Sequence, residues 1–86
     1  MAEYLNKNLK YLRSVKKISQ QDLADKIGID RSTVSRIENN EIETTVDNAI
    51  KITDIFNVSL SDLLNKDLSS NEQSNSELDN ILFSKT

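Results

Sequence analysis

The sequence predicts an all-α fold of five short helices, followed by a C-terminal tail with room for one more. Three observations carry this prediction. Apolar residues recur at spacings of three and four along most of the chain, the period of a helix with one buried face. The 86 residues include no proline and a single glycine, so breaks between helices are few. Ser, Thr, Asp or Asn precede several apolar stripes, where their side-chain oxygens can accept the free N–H groups of a first helical turn.

Taken in order, residues 3 to 16 form the first helix, with Leu5, Leu9 and Leu12 on one face and Val15 extending it. Lys7, Lys10, Lys16 and Lys17 fall mostly elsewhere on the wheel, as a solvated face would. Residues 20 to 27 and 31 to 39 form two further helices. Leu23, Ala24 and Ile27 make one stripe, and Val34 and Ile37 make the next. Between them stand Gly28, Ile29 and Asp30. Gly28 is suited to a left-handed C-cap, and Ser19 and Asp30 are suited to N-cap the two helices. Helix, short turn, helix is the helix-turn-helix unit.

Asn40 stands where a left-handed cap closes the third helix. After a short connection, residues 45 to 56 form the fourth. Thr44 and Asp47 are spaced as a capping box. Val46, Ala49, Ile50, Thr53 and Phe56 trace its inner face, and Ile52 and Ile55 widen it. A face that wide implies more than one packing partner. Asn57 closes this helix. Ser59 and Asp62 then cap a short fifth helix carrying Leu60, Leu63 and Leu64.

After Lys66 the composition shifts. Residues 67 to 76 are polar and rich in Ser and Asn, as a linker is. Residues 77 to 83 return to an apolar pattern with Leu78, Ile81, Leu82 and Phe83. Seven residues do not hold a helix alone, so this segment needs the domain or a partner to order it. The expected division is a domain at 1–66 and an acidic tail at 67–86.

Composition excludes several classes. No cysteine means no disulfide and no thiolate metal site, and no histidine removes the commonest general base and zinc ligand. With no phosphate-binding glycine loop, the chain is not expected to be an enzyme or to hold a metal or cofactor. No apolar run approaches the roughly 20 residues needed to cross a bilayer, so a soluble cytoplasmic protein with no membrane partner is expected. The net charge is −3. Residues 1 to 66 carry ten Lys and Arg against ten Asp and Glu, and residues 67 to 86 carry one Lys against four acids. An almost uncharged domain with an acidic tail argues against indiscriminate nucleic-acid binding.

Residues 8 to 65 resemble the Cro/cI-type (XRE-like) helix-turn-helix proteins. The resemblance rests on an ordered set: Leu12-Arg13 with Lys16, Ser19-Gln20, Leu23-Ala24, Gly28-Ile29, Ser32-Thr33-Val34-Ser35 and Ile37-Glu38. It continues through Lys51-Ile52, Val58-Ser59-Leu60 and Leu63-Leu64. It implies a compact five-helix, lambda-repressor-like DNA-binding domain, with residues 31 to 39 as the recognition helix in the major groove. Val34 and Ile37 face the core, which leaves Arg31, Ser32, Ser35, Arg36 and Asn39 on the exposed arc. Arginine suits base reading because its fork can donate two bonds to guanine O6 and N7. Arg31, Ser32, Ser35 and Arg36 are therefore expected at base edges. Ser19, Gln20, Gln21, Asn39, Asn40 and Thr44 are expected at phosphates, the first three at a helix N-terminus that favours anions. The resemblance also implies that Arg13 pairs with Glu38 to tie two helices together.

Two departures stand out. Glu41 and Glu43 follow the recognition helix where many similar proteins carry Lys or Arg, and the tail exceeds a minimal family member. The expected function is a sequence-specific transcriptional regulator, most simply a repressor, acting as a homodimer on a two-fold-related double-stranded DNA operator. Ile50, Ile55 and Leu60 are candidates for dimer contact. Leu78, Ile81, Leu82 and Phe83 either extend that contact or bind a protein partner. That second option is the rival reading: an interaction module resembling an antitoxin segment or a regulator antagonist.

Overall fold

A computed structural model of the chain describes residues 4–69. Five helices and no strand occur among them: α1 (Leu5–Lys16), α2 (Gln20–Ile27), α3 (Arg31–Glu38), α4 (Val46–Phe56) and α5 (Leu60–Asn65). The all-α expectation holds, and each helix lies within two residues of its expected bounds. Leu78, Ile81, Leu82 and Phe83 lie outside the described residues, as do the calls on the rest of the tail beyond residue 69.

Local chemistry explains most boundaries. Ser19 and Asp22 form a reciprocal capping box: the Asp22 N–H donates to Ser19 Oγ at 3.0 Å, and the Ser19 N–H donates to Asp22 Oδ2 at 3.2 Å. Ser59 caps α5 in the same way, accepting from the Asp62 N–H. Gly28 ends α2 at φ 88°, in the region an L side chain rarely adopts. Asn40 and Asn57 take the same hand at φ 61° and 55°, asparagine being the next most tolerant residue there.

All five helices contribute to one core. Leu9, Leu23, Val34, Ile52 and Leu63 are its most enclosed members. Burying an aliphatic side chain of this kind contributes about 1.5–3 kcal/mol. The helix-turn-helix pair α2 and α3 pack closely together. α1 bridges α3 to α5, and α4 closes the far side against α2 and α5.

Four expectations are corrected. Val15 does not extend the inner face of α1; it is 54% exposed. Asp30 occupies the N-cap position of α3 but its side chain caps nothing. The cap of α4 is Thr45 rather than Thr44, with its Oγ1 accepting from the Asn48 N–H at 3.1 Å. Finally, α4 is rotated from its expected setting. Ala49, Ile52 and Phe56 are buried, whereas Val46 and Ile50 face outward, 68% and 45% exposed. This helix carries two overlapping apolar stripes, and contact with α2 and α5 selects the one through Ile52.

Asn8 was not anticipated. It lies on the stripe of Leu5, Leu9 and Leu12 and is fully buried. Its Nδ2 donates to the carbonyls of Leu63 at 2.8 Å and Lys66 at 2.7 Å, and its Oδ1 accepts from the Leu68 N–H at 3.0 Å. One amide thereby satisfies three backbone groups at the end of α5. It also folds residues 67 to 69 back onto α1, although their composition reads as linker. The Lys7 ammonium donates to Asp67 at 2.8 Å on the same side. That hydrogen bond, with the attraction of the carboxylate, holds the Lys7 pKa above its ordinary value.

Replacing Asn8 with alanine is expected to lower stability by about 2–4 kcal/mol, since three backbone groups, one buried and two partly buried, lose their partner. Urea unfolding of Asn8→Ala measures this. Asn8→Asp, which keeps the acceptor but loses both donors, should recover little of the loss.

Candidate nucleic-acid interface

The interface is built on α3. Val34 and Ile37 anchor it inward at 0% and 3% exposure. That burial turns Arg31, Ser32 and Arg36 fully outward, with Ser35 half-buried beside them. The four side chains expected at base edges thus share one accessible face of an eight-residue helix. Asn39 and Asn40 are exposed at its C-terminal end.

The angle of that helix is fixed from below. Glu38 ends α3 and is 1% exposed. Its carboxylate accepts from Arg13 Nε at 2.6 Å on Oε2 and from Arg13 Nη2 at 3.0 Å on Oε1. This is the two-pronged pairing that arginine geometry favours. Gln20 Nε2 donates a third bond to Oε1 at 2.9 Å. Arg13 Nη1 meanwhile reaches the Ile18 carbonyl at 3.1 Å, in the turn between α1 and α2. Glu38 therefore joins α1, α2 and α3 at one point. The hydrogen bond to Glu38 is the main cause of an Arg13 pKa raised above its ordinary value.

Several side chains expected at phosphates are engaged in the protein itself. Gln20 turns one amide N–H inward to Glu38, a role the sequence did not signal. Gln21 Nε2 donates to Asp25 Oδ1 at 2.9 Å. Each amide retains a second N–H, and Ser19 retains its own O–H while accepting from Asp22, so all three can still donate outward. Thr44 cannot: its Oγ1 is buried and has no hydrogen-bond partner among the described residues. The threonine exposed at this corner is Thr45.

Arg36 has an acidic neighbour. Its Nε lies 3.9 Å from Glu41 Oε1, with both side chains more than half exposed. A pair this open contributes little to stability. It does place a carboxylate beside a cation on the exposed face of α3.

The fold and the α2–α3 unit define a helix-turn-helix DNA-binding domain. The helix-turn-helix family model matches residues 9–63. An uncharacterised HTH-type transcriptional regulator of Methanocaldococcus jannaschii is 34% identical over 59 residues, covering 69% of this chain and 89% of that protein. The uncharacterised HTH-type transcriptional regulator YqaE of Bacillus subtilis is 41% identical over 59 residues, covering 69% of this chain and 51% of the relative. No solved structure gives a significant match. The chain belongs to the XRE-type helix-turn-helix family of DNA-binding transcriptional regulators. Among the described residues no helix is long and apolar enough to cross a membrane, and no acidic cluster is arranged to hold a metal.

The ion pair should respond asymmetrically to mutation. Arg13→Met leaves a buried carboxylate with only Gln20 and is expected to cost about 3–5 kcal/mol. Glu38→Gln should cost less, because the partly exposed Arg13 can turn to water. Denaturant titration of both variants separates the two cases. Glu41→Gln is expected to raise affinity for random duplex DNA by about two- to five-fold at low salt, since one anion beside the phosphates is removed. Fluorescence anisotropy at two salt concentrations checks it.

Proposed function

We propose that the chain is a repressor that binds a two-fold-related operator as a homodimer, inserting α3 into the major groove of each half-site. The observation that carries this is the division of α3. Its end is locked through Glu38 to two other helices, while Arg31, Ser32 and Arg36 stand clear with the half-buried Ser35 between them. A rigid helix with an open hydrogen-bonding face suits direct base reading, which tolerates little positional error. Arg31, at the first turn, leads the base contacts. Ser19, Gln21 and the remaining N–H of Gln20 donate to phosphates from the N-terminus of α2, and Asn39 and Asn40 do so from the end of α3.

Dimerisation follows from charge and surface. Residues 1 to 66 balance ten cations against ten anions, so long-range attraction to DNA is weak. A second copy doubles the specific contacts and supplies affinity that charge does not. Ile50 and Leu60 are exposed on α4 and α5 and suit a contact between copies. Ile55 is partly committed to the core and contributes less. Occlusion of a promoter is the simplest outcome of a small domain bound across it.

Selection of bound sites from random duplex DNA is expected to yield a palindrome with half-site centres about 34 Å apart or a multiple of that. Arg31→Ala should weaken the selected site by about 1–3 kcal/mol per half-site and relax the preference at one base position in each half. Failure to enrich any sequence would overturn the proposal. A single non-repeated site would overturn the dimer.

A further inference from the structure

A groove of about 500 Å³ opens between the N-terminal part of α1, the connection from α3 to α4, the start of α4, and α5. Its size is that of a ligand-binding cleft. Leu5, Ile42, Val46, Ala49, Leu60 and Leu64 give it an apolar floor and walls. Val46 and Leu60 are exposed along it at 68% and 36%. Thr44 also lines it and holds the buried, unpartnered Oγ1. An apolar side chain alone would leave that hydroxyl unsatisfied, whereas a peptide backbone can bond to it.

We propose that this groove receives residues 77–83 of the same chain, with Leu78, Ile81 and Leu82 seated on the apolar walls. The reach of the chain allows this occupant, and the tether favours it over a free copy. Asn8 and Lys7 hold residues 67 to 69 against α1. Asn8 lies three residues along α1 from Leu5 in the groove wall, a rise of about 4.5 Å. The described chain ends at Ser69, and the eight steps from there to Glu77 span at most about 26–29 Å. A tether that short gives an effective concentration in the millimolar range, well above that of a second free copy at ordinary protein concentrations. Spacing also fits, because residues 78, 81 and 82 share one helical face.

This inference rests on neither the operator nor the dimer. It does bear on the latter: the groove shares Leu60 with the face proposed for dimer contact, so a docked tail sets how much apolar surface remains for a second copy.

The chain has no cysteine, so Ser84→Cys in the full-length protein gives a single site for a nitroxide label. Amide signals of Thr45, Val46 and Leu60 are expected to broaden beyond detection in the labelled chain. Adding Ile81→Asp and Leu82→Asp to the same chain should restore them while the core signals keep their positions. A mixture of isotope-labelled unmodified chain with spin-labelled chain should leave Thr45 and Val46 far less broadened than in the labelled chain itself. Broadening of Thr45 and Val46 in that mixture as strong as in the labelled chain itself would place the tail on a second copy and overturn the intramolecular form. Absence of broadening in the labelled chain, or broadening that survives the two aspartates, would overturn the proposal outright.

Discussion

The buried carboxylate of Glu38 is the constraint on which the helix-turn-helix geometry depends. It accepts two bonds from Arg13 and one from Gln20, and so fastens the end of α3 to α1 and to the start of α2. Burying a charge is costly unless every lone pair finds a donor of the right geometry. Here Arg13 supplies a fork and Gln20 a lateral N–H, while the remaining guanidinium nitrogen stabilises the turn at Ile18. An apolar contact could fill the same space, but it would not fix the rotation of α3 to the same degree, because dispersion is weakly directional. The exposed face of α3 is therefore oriented by a polar knot beside it at the end of the helix.

A second buried amide has a comparable task at the other end of the domain. Asn8 collects the carbonyls that α5 leaves open and the N–H of Leu68. A six-residue helix has few internal bonds of its own. Its termination by a side chain from α1 makes α5 part of the core and aims the following residues along α1.

Much of this architecture was legible in the sequence. The stripes of α2 and α3, that of α1 through Leu5, Leu9 and Leu12, the left-handed Gly28, and the caps at Ser19 and Ser59 each follow from local chemistry, and each stands where the local pattern places it. The outward set on α3 was legible for the same reason: once Val34 and Ile37 face inward, helical geometry leaves Arg31, Ser32 and Arg36 outside. Other features depended on what lay across the core. α4 offers two apolar stripes of similar strength, and neighbours rather than periodicity chose Ile52 over Val46 and Ile50. Thr44 and Thr45 are equally good caps by type, and only the inward turn of Thr44 separates them.

By itself the sequence determined the number of helices, their approximate ends, the family to which the chain belongs and the polarity of the α3 surface. These are local properties, fixed by side-chain spacing and by the conformations each residue tolerates. Tertiary structure alone decided that Gln20 completes the carboxylate cluster, that Asn8 closes α5, that Asp67 and Leu68 belong to the domain, and that a groove with an unpartnered hydroxyl lies between α1, α4 and α5. The pairings among these join groups 18 to 60 residues apart. No periodicity specifies such a pairing, because it arises only when packing brings a buried polar group within reach of the one partner that can satisfy it.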